Sequence, residues 1–91
     1  MSEINNIRLE GIWKIIVASP NKNNYRVNRY VVFPWEISEG WIAIWMYANC
    51  DGTELKGGQI CSTSCINNIQ YEDRQLEIST KNSTYVFIRV N

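Results

Sequence analysis

Apolar and polar residues alternate along several short stretches of this chain, and clusters of turn-forming residues separate these stretches. The alternation is clearest over residues 75–80, where Leu76 and Ile78 alternate with the polar residues Glu77 and Ser79. Residues 84–90 alternate in the same way, and the polar residues 81–83 between the two stretches favour a turn. A period of two residues is typical of a strand with one buried face, so the sequence predicts a β-hairpin here.

Four further stretches are predicted as strands because β-branched and aromatic residues dominate their apolar positions. They cover residues 9–18, 25–33, 41–48 and 54–61. Residues 19–24 are dense in turn formers, and Asp51-Gly52 is a strong hairpin signal between the last two stretches. Gly57-Gly58 predicts a bulge in the stretch 54–61, whereas residues 66–71 give no clear pattern.

Helices are predicted to contribute little to this fold. Pro34 ends the second strand because proline has no N–H to donate to a sheet. Residues 34–39 predict a single helical turn, since Pro34 fits its first position and Glu36 and Glu39 lie near its positive end. The predicted fold class is therefore all-β, with about six antiparallel strands in a meander that forms a small barrel or a sandwich. Residues 1–91 are expected to form a single β domain.

Residues 41–48 are unusual because, as a strand, they are apolar on both faces. The two faces carry Trp41, Ala43, Trp45 and Tyr47 on one side and Ile42, Ile44, Met46 and Ala48 on the other. Some of these residues also match helical spacing, but Gly40 and the Asp51-Gly52 turn bound a run short enough for a strand. A small chain has difficulty burying both faces of a sheet, so we expect a second copy, a partner or a ligand to cover one of them.

The last predicted strand shows the same division into an aliphatic and an aromatic face. If the aliphatic faces point inward, aromatic residues form an exposed surface of the kind that binds partners. The predicted partner-binding residues are Trp35, Trp41, Trp45, Tyr47, Tyr85 and Phe87. If the aromatic faces point inward instead, these strand residues form the core, and Ile42, Ile44 and Met46 become the surface to explain.

The residues Gly11-Ile12-Trp13 form a G-x-W element that resembles the first strand of lipocalin-like β-barrels. In that family the tryptophan closes one end of the barrel, and a basic residue of the last strand lies over it. The resemblance implies that Trp13 closes one end of the barrel and that Arg89 lies over it in a cation–π contact. It also implies a cavity for a hydrophobic ligand, although barrels with few strands are usually filled by side chains.

Composition argues against several kinds of chemistry. The chain has nine basic and nine acidic residues and no histidine. Without histidine the usual general base at neutral pH is missing, so we expect a protein that is not an enzyme and needs no cofactor. The three cysteines, Cys50, Cys61 and Cys65, are expected to be free thiols without a metal, although a Cys61–Cys65 disulfide stays open.

Charge is unevenly distributed along the chain. Between Gly11 and Trp35 the charged residues are all basic, namely Lys14, Lys22, Arg26 and Arg29. A zero net charge argues against nucleic acid as a partner, but basic residues interleaved with tyrosines can bind a single strand. The residues of that alternative site are Tyr25, Arg26, Arg29 and Tyr30. The other interpretation is that the basic run pairs across strands with the acidic run that follows.

These observations favour a small non-catalytic binding protein that acts through protein–protein contact, of inhibitor or adaptor type. Its partner is expected to be another protein or a second copy in a homodimer. A lipocalin-like small-molecule barrel and a single-stranded nucleic-acid binder are the alternatives. The polar N-terminal residues lack the apolar core of a signal peptide, and no segment approaches the ~20 apolar residues of a membrane span. We therefore expect a cytoplasmic protein that does not contact a membrane.

Overall fold

Six β-strands form a closed antiparallel barrel in which strands that follow one another in the chain are neighbours in space. The computed structural model describes residues 6–53, 55 and 59–90. The strands are β1 (Trp13–Ser19), β2 (Tyr30–Val32), β3 (Ile42–Ala48), β4 (Ile60–Glu72), β5 (Gln75–Thr80) and β6 (Thr84–Arg89). Strand β6 pairs back onto β1 and closes the barrel. The predicted all-β meander is confirmed, in its barrel form. Within the described residues, no helix has the length and apolar character needed to cross a membrane.

The barrel interior is filled by large side chains. Those that are almost completely enclosed are Trp13, Ile15, Val31, Ile37, Trp45, Ile66, Leu76, Ile78 and Phe87. The aromatic rings meet edge to face: the Trp45 ring centroid lies 5.1 Å from that of Tyr85 and 5.3 Å from that of Phe87. Such pairs stabilise a core beyond the area that they bury.

The predicted hairpin at residues 75–80 and 84–90 is confirmed as β5 and β6. Leu76 and Ile78 point into the barrel, as their alternation with polar residues predicts. The turn is closed by Thr80, whose Oγ1 accepts a hydrogen bond from the Ser83 N–H at 3.0 Å. Local sequence therefore determines this hairpin, because its alternation and its turn residues favour the same structure.

The prediction of one strand over residues 25–33 is wrong at its N-terminal half. Residues Asn21–Arg26 form a 3₁₀ helix, and only Tyr30–Val32 pair as β2. The helix is held against the barrel by Asn23, whose Nδ2 donates to the Ser19 carbonyl and to Ser83 Oγ, each at 3.1 Å. Contacts between residues distant in the chain thus override the apolar alternation of this segment.

The helical turn predicted at residues 34–39 is also wrong. Ile37 instead forms an antiparallel bridge with Ile7, in which each N–H donates to the carbonyl of the other. Ile37 is buried in the core, and the Glu39 side chain accepts a hydrogen bond from the Ile69 N–H at 3.0 Å. The segment is therefore not helical, because Ile37 packs into the barrel and pairs with Ile7.

Strand β4 begins later and runs much further than the sequence predicts. It spans 13 residues and includes the stretch 66–71, which gave no clear pattern. A register shift between Ile66 and Asn68 interrupts its pairing with β5, and this irregularity explains the broken alternation. The bulge predicted at Gly57-Gly58 lies outside the described residues, as does Glu54 at the start of the predicted strand.

Candidate functional site

The aromatic faces of the strands point into the barrel, and this decides between the two arrangements that the sequence left open. Trp45, Tyr47, Tyr85 and Phe87 are all buried. Their prediction as an exposed partner-binding surface is therefore wrong, for a physical reason. Closure places one face of every strand in the barrel interior, and that interior is filled by aromatic side chains that alternate with small residues such as Ala43.

Trp35 and Trp41 are the two predicted partner-binding residues that remain on the surface. The Trp41 side chain is 69% exposed and that of Trp35 is 60% exposed. Trp41 shares the strand parity of Trp45, but it lies just before β3 begins. Its carbonyl accepts a hydrogen bond from the Ile66 N–H at 2.8 Å, which holds its backbone at the rim of the barrel.

The aliphatic side chains of β3 form an exposed surface together with those of the adjacent strands, and we call it the outer apolar face. It consists of Val32, Ile42, Ile44, Met46 and Ile60. Met46 lies at its centre, since it pairs with Val32 of β2 on one side and with Ile60 of β4 on the other. Ile42 is 44% exposed and Ile60 is 63% exposed, whereas the other three are half-buried.

A second feature, the arginine cleft, borders this face at the end of the barrel where β3 ends and β4 begins. The cleft has a volume of about 440 Å³. It is lined by Tyr25, Arg26, Arg29, Tyr47, Gln59, Ile60 and Cys61. Ile60 belongs to both features, so the outer apolar face and the arginine cleft are continuous.

Arg26 lies over the end of the barrel. Its Nη1 donates to Tyr47 Oη at 3.0 Å and also to Cys61 Sγ. Its guanidinium carbon lies 4.9 Å from the ring centroid of Tyr25. Burial by itself lowers the pKa of Arg26, but Cys61 and Tyr47 beside it more than offset this, and the net pKa lies above the ordinary value. Arg26 therefore carries a permanent positive charge at the floor of the cleft.

Arg29 lies nearer the mouth of the cleft. Its guanidinium carbon is 3.8 Å from the ring centroid of Tyr47, which is a close cation–π stack. Its Nη2 lies 3.5 Å from Gln59 Oε1, at the outer limit of a hydrogen bond. In the described part of the chain neither Arg26 nor Arg29 has a carboxylate partner. The cleft therefore holds two cations whose charge is not neutralised by described residues.

Tyr47 connects the two arginines because its ring supports Arg29 and its hydroxyl accepts from Arg26. Burial raises the pKa of Tyr47, Cys61 raises it further, and Arg26 only partly opposes them. The phenol is therefore neutral at neutral pH and acts as an acceptor for Arg26. Tyr47 was predicted as a surface residue; it is buried, and it contacts the two arginines of the cleft through its hydroxyl and its ring.

The structure brings together three of the four residues predicted for a nucleic-acid site. Tyr30 is separate: it lies on the outer side of β2, where the Lys14 ammonium is 5.9 Å from its ring centroid. The sequence did not identify Gln59 and Cys61 as cleft residues. Cys61 belongs to β4, and Gln59 is the residue before β4 begins. No local pattern links them to Arg26, so only the barrel topology could identify them.

Pairing between the basic run and the acidic run is not found among the described residues. None of Lys14, Lys22, Arg26 and Arg29 forms an ion pair with a described carboxylate. Asp51 instead accepts hydrogen bonds from the hydroxyl and the backbone N–H of Thr53, and these bonds lower its pKa. The side chain of Asp51 thus stabilises the turn that follows β3.

The cysteines do not converge on one site. Cys50, Cys61 and Cys65 are all free, and Cys61 alone of the three is buried. Within residues 6–53, 55 and 59–90, no cluster of cysteine and carboxylate side chains has the arrangement of a metal site. Cys61 therefore acts here as an acceptor for Arg26.

The residues of the G-x-W element lie at the start of the barrel. Trp13 is fully buried, and its indole N–H donates to the Glu10 carbonyl at 3.2 Å. Trp13 and Arg89 are direct partners across the β1–β6 seam. Comparisons of the chain with protein-family models, with curated proteins and with solved structures give no match.

Proposed function

We propose that this chain is a small non-catalytic binding protein, of inhibitor or adaptor type, and that its outer apolar face contacts a protein partner. One observation carries the proposal: β3 is apolar on both faces, but the barrel encloses only the inner one, and on the outer one Ile42 is 44% exposed while Ile44 and Met46 are half-buried. Ile42, Ile44 and Met46 are aliphatic although they point away from the core. Strands that are apolar on both faces are typical of sheets covered on both sides.

The outer apolar face has the properties of a contact surface. Its residues occupy three adjacent strands, so that Val32, Met46 and Ile60 form a row across the sheet. Exposed apolar residues that are scattered singly need no explanation, but a contiguous group indicates an interaction site. Trp41 lies next to Ile42 at the rim, and tryptophan is among the residues that contribute most to binding energy.

The partner that fits best is a different protein. In a two-fold symmetric dimer the same patch contributes from both copies, so the patch must contain its own complement. This surface borders a cleft with two arginines, and the described residues that line the cleft include no carboxylate. A homodimer through this face would bring two unneutralised cationic clefts to one interface, which opposes association.

The lipocalin-like alternative receives support from architecture only. The protein shares with that family a closed antiparallel meander barrel, and Trp13 lies opposite Arg89 on the paired strands. The space that a ligand would occupy is filled by Trp45, Phe87 and their neighbours. We therefore do not propose a small-molecule ligand for the interior.

The proposal is tested by changing the outer apolar face without touching the core or the cleft. The double variant Ile42→Ser/Met46→Gln removes two apolar contacts outside the cleft lining. The variant and the wild-type protein are used as bait in an extract of the cells that make the protein naturally. A recovered partner is then purified, and its affinity for each bait is measured by calorimetry. We expect the double variant to weaken binding at least tenfold, about 1.4 kcal/mol.

Ile88→Ser is the matched control, because Ile88 is an exposed aliphatic residue on β6, which is not part of the outer apolar face. Its affinity for the partner should equal that of the wild type. Equal affinities of the double variant and the wild type would show that this face is not the contact surface. A protein that sediments as a monomer and retains no partner from the extract would contradict the proposed function itself.

A further inference from the structure

We infer that the arginine cleft binds a side-chain carboxylate of an acidic segment of the partner protein. This inference rests on the proposed function and specifies the chemistry of the partner. The outer apolar face and the arginine cleft share Ile60, so a segment that packs on the face extends into the cleft. Such a segment therefore carries apolar side chains beside an aspartate or a glutamate.

Arg29 supplies the donors for the carboxylate. Its planar guanidinium stacks on Tyr47 through its face, and stacking leaves the N–H groups on its edge available. The bond from Nη2 to Gln59 Oε1 is weak at 3.5 Å, so a carboxylate replaces it at little cost. Charge-assisted bonds between a guanidinium and a carboxylate are short and strong, and their forked geometry favours this anion.

Arg26 is a positioning residue in this site. The hydrogen bonds that Arg26 makes to Tyr47 and Cys61 both come from its Nη1, and its positive charge adds to the attraction for the ligand. Its Nε is buried and has no hydrogen-bond partner. The bond to Tyr47 Oη fixes the ring on which Arg29 stacks. Arg26 therefore acts on the carboxylate through Tyr47 and through the local potential.

A single-stranded nucleic acid fits the cleft less well. Tyr25 is 64% exposed, but the Arg26 guanidinium already covers one face of its ring at 4.9 Å. The second tyrosine of the predicted nucleic-acid site, Tyr30, is not part of the cleft lining. Strand binding needs successive stacking rings and a track of cations, whereas this cleft offers two cations and an apolar border at Ile60.

The test uses purified full-length protein and fluorescent peptides with blocked ends. One peptide alternates leucine and glutamate, and its matched peptide has glutamine in place of glutamate. We expect the acidic peptide to bind, and the glutamine peptide and an oligothymidylate to bind at least tenfold more weakly. Arg29→Gln should reduce the affinity for the acidic peptide by about tenfold. Tighter binding of the oligothymidylate would overturn the inference.

Lys22→Gln is the matched control, since it removes the same charge from the adjacent 3₁₀ helix but lies outside the cleft lining. It should bind the acidic peptide like the wild type. A loss as large as that of Arg29→Gln would show a general charge effect and not a site. Gln59→Glu is a second variant that keeps both arginines and places a carboxylate beside Arg29. It should block the acidic peptide while its thermal midpoint stays at or above the wild-type value.

The partner recovered in the extract separates the two proposals. If Ile42→Ser/Met46→Gln loses the partner and Arg29→Gln retains it fully, the outer apolar face is the contact surface and the carboxylate site is wrong. If both variants retain it, the proposed contact surface is wrong as well. Self-association that rises with concentration and disappears in Arg29→Gln would also overturn the inference. It would identify a second copy as the source of the carboxylate.

Discussion

The inner and outer faces of β3 are equally apolar in sequence, but they have different surroundings in the barrel. On the inner face Trp45 is fully buried and makes edge-to-face contacts with three aromatic rings. On the outer face Ile42 remains 44% exposed, and Met46 lies half-buried between Val32 and Ile60 of the neighbouring strands. The barrel thus encloses the large side chains of one face of this strand more completely than those of the other. The less enclosed face is the one that we propose contacts a partner.

The largest expected effect is on the stability of the inner face. Trp45→Ala should lower the free energy of unfolding by ~3–5 kcal/mol, because it removes a fully enclosed aromatic side chain and leaves a cavity. Trp41→Ala should change it by only about 0.5 kcal/mol, since that side chain lies mostly in solvent. Urea unfolding followed by circular dichroism measures both. Similar midpoints for the two variants would show that Trp45 is not enclosed as described.

Trp13 and Trp35 allow the same comparison between an enclosed and an exposed tryptophan outside β3. Trp13→Ala should cost about 3 kcal/mol or more, because Trp13 is enclosed and packs against Phe33 and Tyr71. Trp35→Ala should cost much less, since Trp35 is 60% exposed. The midpoint of urea unfolding again provides the measurement. Equal losses would mean that the enclosed part of the barrel does not extend to its first strand.

The smallest expected effect concerns the end of the inner face, where Tyr47 meets Arg26. The pKa of Tyr47 is raised, so above pH ~10 the unfolded chain releases this proton before the folded protein does. The free energy of unfolding should therefore fall as pH rises from about 10 through the folded pKa. Unfolding curves of wild type and Tyr47→Phe, measured between neutral and alkaline pH, isolate this contribution. The variant should show the shallower decline, and parallel declines would contradict the assignment.

The sequence predicted those parts of the fold in which local signals agree. The β5–β6 hairpin was predicted nearly to the residue, because the alternation around Leu76 and Ile78 and the turn at residues 81–83 favour one structure. The segment 25–33 was predicted less well. Its alternation resembles a strand, but Asn23 anchors a 3₁₀ helix through contacts with Ser19 and Ser83. The hydrogen bond from Asn23 to Ser83 links residues sixty positions apart, so no local sequence pattern could indicate it.

The sequence predicted the candidate site only as two alternatives, in which either the aromatic or the aliphatic face of β3 is exposed. Alternation in β3 identifies two faces, but no local rule states which of two apolar faces points inward, and the volume of the closed barrel decides it. The clustering of Tyr25, Arg26 and Arg29 follows from their proximity in the chain. Their juxtaposition with Gln59 and Cys61 depends on how β3 and β4 are aligned, which the sequence does not encode locally.

The seam between β1 and β6 has a consequence for folding kinetics. Five of the six strand pairings join consecutive strands, whereas this one joins strands separated by most of the chain. Closing it carries the largest loss of chain entropy, so we expect it to form after the transition state. Destabilising changes at Trp13 in this seam should then accelerate unfolding and leave the folding rate almost unchanged. The lifetime of the native barrel would be set by the seam, even though Trp45 contributes as much to its equilibrium stability.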